Sequence, residues 1–324
     1  MFKRTTFVLG AGFSAEQQFP LVRGLRQKVI HFLEAERHST YETHLNPCDL
    51  FPSGQFYDGL ACVDPSGELG FEELLIALRK HLASADNLDP CFVTDQVLRV
   101  GTARLFWSKT WFGRPVEKCY REFAGWLVAG RGARNVVTFN WDILIEQALS
   151  EIRSAWAYTL DSGTANPAVL KPHGSINWSG WARNPASSSP YTGWTPVGTG
   201  SRLRFDGANP LDNPDTYEIH PDLRVCLFPG DPDLPREDPD LELIWRDVSS
   251  VIVGSDEVVF IGYCLPEYDT YGASELIRLC RGKDVAVYDP SDQTLARFKA
   301  GFHGAVLYKQ EFRQSPYAKP EGAA

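Results

Sequence analysis

Thr6-Phe7-Val8-Leu9, followed at once by Gly10-Ala11-Gly12, narrows most sharply what this chain can fold into. The apolar run reads as a buried strand. Polar, helix-forming residues come directly after the glycines. A strand, a glycine turn and a helix start, in that order, make a phosphate cradle. Gly10 permits a tight turn and Gly12 lets a ligand approach the backbone. The N–H groups at a helix start then face an anion. Ala15 completes the G-x-G-x-x-G/A spacing of dinucleotide sites. The plain alternative is a strand–turn–helix that binds nothing.

A length of 324 residues suits one large α/β domain with insertions, or two domains. The net charge of −9 argues against a broad nucleic-acid-binding face. The seven cysteines (Cys48, Cys62, Cys91, Cys119, Cys226, Cys264, Cys280) are scattered and include no C-x-x-C pair. That spacing argues against a disulfide framework and a zinc ribbon, so the expectation is reduced cytoplasmic thiols and no metal. No signal-peptide pattern precedes the first strand. The longest apolar stretch, near 251–265, is broken by Ser255, Asp256 and Glu257, and no membrane span is expected.

Residues 20–37 read as a helix, with Leu21, Leu25, Val29, Phe32 and Leu33 at helical spacing. A hydride-transfer enzyme would want a second strand there, ending in an acid that holds the ribose. Glu34 and Glu36 instead sit in a helical pattern. Residues 38–68 are rich in turn formers and read as a loop excursion. Residues 70–130 read as mostly helical, and their tryptophans as core. Residues 179–240 are dense in Pro, Gly, Ser and Asp, with one strand near Leu223 to Phe228. A helix at 241–253, a strand at 257–261, a helix from Thr270 to Arg281 and a strand at 285–289 make a right-handed βαβ unit. The expected fold is α/β, a doubly wound, mostly parallel Rossmann-like sheet. Its domain would be 1–40 and 131–312, with a helical module inserted at 41–130, a loop-rich insertion at 179–240 and a flexible tail at 313–324.

Two further segments carry polar groups where such sheets place chemistry. Val136 and Val137 start a strand, and Thr138, Asn140 and Asp142 stand at its carboxyl end. One of them capping the following helix would explain one residue, but not three at alternate positions. His173 follows a short apolar segment and precedes Gly174, and a histidine there is either structural or a proton acceptor. Trp178, Trp181 and Trp194 are expected to pack rather than stack on a base.

Taken together, GAG-x-S, T-x-N-x-D at a strand end, HG, and a late strand running into G-Y-x-L-P resemble the Sir2 family. The closer likeness is to bacterial Sir2-like proteins of the anti-phage type, which hydrolyse NAD. The resemblance covers roughly 5–24, 134–178 and 257–292, and it implies a sirtuin-type NAD-binding fold. By motif it places Gly10, Ala11, Gly12 and Ser14 at the pyrophosphate and Pro20 toward the nicotinamide. Asn140 and Asp142 match the family's asparagine and aspartate beside the nicotinamide ribose and are expected to be catalytic, with Thr138 binding the cofactor. His173 matches the catalytic histidine. Gly262 and Tyr263 fall on the adenosine side, where Cys264 replaces a usual serine, and Asp289 falls at the adenine ribose. Protein-deacylating members carry four zinc-binding cysteines between the HG motif and the late glycine loop. Here that interval holds only Cys226. The D-F-R that follows the proline in deacylases is also missing, with Arg23 off register.

The resemblance therefore implies an NAD glycohydrolase, NAD being the substrate and no metal required. It further implies a homo-oligomer or a complex with a separate sensor, such as an Argonaute-like protein or a HerA-like ATPase, that restrains activity. A deacylase and a non-catalytic NAD or ADP-ribose sensor are the rival readings.

Overall fold

The computed structural model describes residues 3–21, 24–37, 54–82, 84, 89–110, 115–129, 134–158, 160, 167–181, 204–205, 223–227, 230 and 239–319. The strands in chain order are β1 (Thr5–Leu9), β2 (Arg134–Thr138), β3 (Val169–Leu170), β4 (Gly174–Trp181), β5 (Arg204–Phe205), β6 (Leu223–Leu227), β7 (Glu257–Ile261), β8 (Asp284–Tyr288) and β9 (Val306–Tyr308). The helices are α1 (Leu25–Arg37), α2 (Gly54–Val63), α3 (Phe71–Leu82), α4 (Pro90–Thr110), α5 (Lys118–Ala129), α6 (Leu144–Glu151), α7 (Pro239–Gly254), α8 (Thr270–Leu279) and α9 (Asp292–Gly301). None of the described helices is long and apolar enough to cross a membrane. The chain divides into two compact units, one of residues 1–19, 112–174 and 230–324, the other of 20–111 and 175–229.

The first unit is an α/β sandwich around a six-stranded parallel sheet of order β3-β2-β1-β7-β8-β9. This is the doubly wound order, in which the chain first builds outward on one side of β1 and then on the other. All five residues of β1 are buried, as a central parallel strand covered on both faces requires. Phe7 pairs in register with Val136 of β2 and Val259 of β7. The loops after β1 and β7 leave in opposite directions, and such a switch point is where open α/β sheets hold ligands.

Helix α5, expected in the inserted module, belongs to the sheet unit instead. The reason is aromatic packing: Phe123 and Trp126 meet Phe7 edge-on at 5.1 Å each. Over its described part, the segment expected as a flexible tail forms turns and ring contacts. Short 3₁₀ turns at Phe312–Gln314 and Pro316–Ala318 set Phe312 4.6 Å from Phe13 and Tyr317 5.0 Å from Phe7. Two aromatic anchors within a polar stretch suffice to dock it.

The second unit is helical, with a small sheet of order β5-β4-β6. Helix α1, expected with the sheet domain, belongs here. It begins at Leu25, after Gly24 at φ 78°, rather than at Pro20. A Cβ on Gly101 of α4 would lie 2.6 Å from Leu33 of α1, so the two helices meet with no space for a side chain. Helix α2 falls inside the expected loop excursion. Phe56 and Leu60 give it one buried face, and the turn formers from Asp64 onward end it rather than prevent it. Trp178 is fully buried, so it packs. Most of 179–240, Trp194 included, lies outside the described residues.

Candidate active site at the centre of the sheet

The sheet ladder continues one step past its strands and fixes the site loops. Phe139 N donates to Leu9 O at 3.0 Å, Gly10 N to Ile261 O at 3.1 Å, and Gly262 N to Tyr288 O at 3.0 Å. The loops after β1 and β7 touch backbone to backbone. A Cβ on Gly10 would lie 2.5 Å from Tyr263 Cα, and one on Gly12 2.8 Å from Gly262 Cα. Glycine is needed here for that contact. The helix start expected after the glycines is a five-residue 3₁₀ helix, Phe13–Gln17. Its entry N–H groups are used within the loops: Gly12 N donates to Gly262 O, Phe13 N to Gly10 O and Ser14 N to Ala11 O. The expected cradle of free helix-start donors is therefore largely closed, and the site depends more on side chains.

Those side chains converge from three strand ends. Asn140, after β2, donates from Nδ2 to Gly10 O at 3.0 Å and to Ser14 Oγ at 2.9 Å. Thr138 Oγ1 accepts the Asn140 backbone N–H at 3.2 Å and sets its direction. With Nδ2 engaged twice, Oδ1 is the acceptor Asn140 has to offer a ligand. Asp142 Oδ1 accepts the N–H of Leu144, the first residue of α6, at 3.0 Å.

His173 sits in a tight turn. Gly174 adopts φ 78° and donates to Lys171 O at 2.9 Å, a conformation that favours glycine. Trp141 Nε1 donates to His173 O at 2.8 Å. The Phe139 ring stands edge-on to the imidazole at 4.9 Å and lies against Tyr263 at 4.5 Å. His173 Nε2 is 3.2 Å from Asp269 Oδ2, both groups being buried, and Tyr263 donates its hydroxyl to the same oxygen at 3.1 Å. Asp269 Oδ1 meanwhile accepts Gly272 N–H at 2.9 Å and caps α8. Burial works against the Asp269 carboxylate, but His173, the Gly272 N–H and Tyr263 outweigh it and hold its pKa below the usual range.

Beneath these groups lies a fully buried ion pair. Lys171 Nζ donates to Glu146 Oε1 at 2.8 Å and to the Asp142 carbonyl, and Tyr158 donates to the same Glu146 oxygen at 3.2 Å. Burial pushes the Asp142 and Glu146 carboxyls up, and Lys171 opposes it. Lys171 thus ties the backbone after β2 to the turn that carries His173.

The structure brings together Gly10, Ala11, Gly12, Ser14, Thr138, Asn140, Asp142, His173, Gly262 and Tyr263 at the ends of neighbouring strands. Asp289 ends β8, two strands from β1, where Oδ1 accepts Ser291 N–H at 2.8 Å. Pro20 belongs to the second unit. Sequence reasoning missed Asp269, Lys171 and Glu146. Asp269 carries a visible helix-start signal, but its second oxygen meets His173 only in the folded chain.

No family model and no curated protein matches this chain. Among solved structures it is similar to a Sir2 homologue in complex with NAD, at 14% identity over 96% of this chain and 85% of that one, with a TM-score of 0.42. It is also similar to a mutant Sir2 homologue in complex with ADP-ribose, at 14% identity over 96% and 88%, TM-score 0.42. A third likeness is to Sir2Tm bound to a propionylated peptide, at 12% identity over 96% and 89%, TM-score 0.44.

Proposed function

We propose that this chain is a Sir2-like NAD glycohydrolase, cleaving NAD to nicotinamide and ADP-ribose. The observation that carries the reading is the convergence at the sheet's switch point: Asn140 is fixed on the Gly10 loop, in the same unit as the buried His173–Asp269 pair. The reaction breaks the bond from ribose C1′ to the pyridinium nitrogen, whose electron pair leaves with nicotinamide. Positive charge builds on the sugar, as in glycoside hydrolysis. Water forms the new bond at C1′ and loses one proton. Pyridinium leaves readily, so no general acid is needed. Asn140 Oδ1 suits a ribose hydroxyl or the water, and His173 suits the proton. Asp269 keeps the imidazole oriented and balances the charge it gains. Thr138 and Asp142 act by positioning Asn140 and α6. Gly10, Ala11, Gly12, Ser14, Gly262 and Tyr263 would line the pyrophosphate and adenosine portion, with Asp289 as an outer contact.

A protein that consumes NAD needs restraint, and activation by assembly or by a sensor partner in anti-phage defence is part of the same proposal. The test is incubation of purified protein with NAD and no peptide, with nicotinamide and ADP-ribose quantified by chromatography. Lysate from phage-infected cells is added in parallel. Asn140→Ala and His173→Ala are each expected to lower turnover by about 10²–10⁴-fold. Measurable NAD binding with no nicotinamide release in any arm would move the assignment to a sensor. Release that requires acetylated peptide would move it to a deacylase.

A further inference from the structure

The second unit brings together a set of side chains that NAD chemistry leaves unused. Cys62 lies in the last turn of α2, His81 in the last turn of α3 and Cys91 in the first turn of α4. Their two sulfurs and one imidazole nitrogen all lie within 4.8 Å of one another. His81 Nε2 is 4.0 Å from Cys62 Sγ and 2.7 Å from Asp89 Oδ2. Asp89 Oδ1 accepts the Cys91 N–H at 2.8 Å, which locks the carboxylate beside the cluster. Cys91 is buried, His81 half-buried and Cys62 exposed, so the group is rooted in the unit and open to solvent on one side.

The helices that present these groups are packed too closely to drift apart. Cys91 Sγ donates to Gly59 O at 3.6 Å, and Thr94 Oγ1 donates to Phe56 O at 2.9 Å. A Cβ on Gly59 would meet Thr94 Oγ1 at 2.2 Å and Pro90 O at 2.8 Å. Helices α2 and α4 therefore cross at Gly59, about one turn before Cys62.

Two thiolates and an imidazole are a borderline-soft donor set that suits zinc. With Zn–S of about 2.3 Å and Zn–N of about 2.0 Å, neighbouring ligand atoms of a tetrahedral site stand roughly 3.4–3.8 Å apart. Closing the observed spacing takes roughly an ångström of side-chain rotation, judged against those bond lengths. We propose that Cys62, His81 and Cys91 bind a zinc ion that ties α2, α3 and α4 together, with the fourth position facing solvent beside the exposed Cys62. This runs against the sequence expectation of no metal. That expectation rested on closely spaced cysteine pairs, whereas here each ligand comes from a different helix. The residues also precede the interval after His173 in which the Sir2 resemblance places the deacylase zinc cysteines.

The test uses the full chain purified under reductant from zinc-supplemented cells. Elemental analysis should find about one zinc per chain. After chelation, Co²⁺ added to the protein should give visible ligand-field bands with thiolate charge transfer, and metal removal should lower the melting temperature. Cys62→Ser is the deciding variant, because Cys62 is exposed and Cys91→Ser, at a buried position, risks misfolding. Cys62→Ser and His81→Asn should each weaken zinc binding by at least the roughly 10–100-fold that even outer-shell partners contribute. Two results would overturn the proposal: wild type with clearly substoichiometric zinc and no cobalt spectrum, or zinc retained undiminished in both variants.

Discussion

Replacing Gly262 by alanine tests whether the two central loops are as tightly joined as the geometry indicates. Gly262 has φ 61°, a left-handed conformation. A non-glycine residue there costs about 1–2 kcal/mol. The added Cβ would lie 2.3 Å from Phe13 N, 2.4 Å from Gly12 C and 2.6 Å from Gly12 Cα. All three atoms are backbone, so no rotamer change relieves the clash, and overpacking of this kind adds about 1–3 kcal/mol. The sum is roughly 2–5 kcal/mol, which in a domain of 150–250 residues lowers the melting temperature by about 4–20 °C. Gly254→Ala is the matched control, since nothing lies within 4 Å of its Cβ position. Scanning calorimetry of wild type and both variants checks the claim. Equal melting temperatures for the two variants would show that the loop after β7 yields easily, and the rigid contact between Gly12 and Gly262 would be refuted.

Asp269→Asn keeps the α8 cap but removes the charge facing His173 and is expected to destabilise the fold at neutral pH. Because the folded Asp269 pKa lies below the usual value, its contribution is complete above about pH 4 and is lost as pH falls through the folded pKa. The stability gap between variant and wild type should therefore narrow on acidification, and a gap that widens would contradict it. Lys171→Met strands Glu146 in the core and should cost about 3–5 kcal/mol in urea unfolding. Adding Glu146→Gln should recover part of that loss, and strict additivity of the two changes would argue against the pair. Tyr317→Ala removes ring contacts to Phe7, Trp126 and Tyr288 and should destabilise by roughly 1–3 kcal/mol, whereas unchanged unfolding would return this segment to a frayed tail.

What was legible in the sequence was local and periodic. The apolar run before Gly10, the strand at Val136 and Val137, and the alternation of strands and helices after residue 240 are short-range signals. They suffice for a doubly wound sheet. Asn140 and His173 were legible because each stands just past a short apolar run. Asp269 was not, because capping explains it locally and only tertiary packing turns its second oxygen toward His173. Lys171 and Glu146 carry no sequence sign of their pairing, since burial of an ion pair has no sequence period. Helix α2 was hidden by the turn formers at either end of a ten-residue stretch.

The wall around Phe7 has a consequence for how the protein is made. Phe7 sits on β1, yet its neighbours come from Phe123, Trp126 and Tyr317, and β1's hydrogen-bond partners are β2 and β7. During synthesis the apolar strand Thr5–Leu9 emerges long before any of these. It waits as an unpaired, sticky segment until β2 and then β7 have been translated. Contacts of such sequence separation slow folding and leave intermediates prone to aggregation.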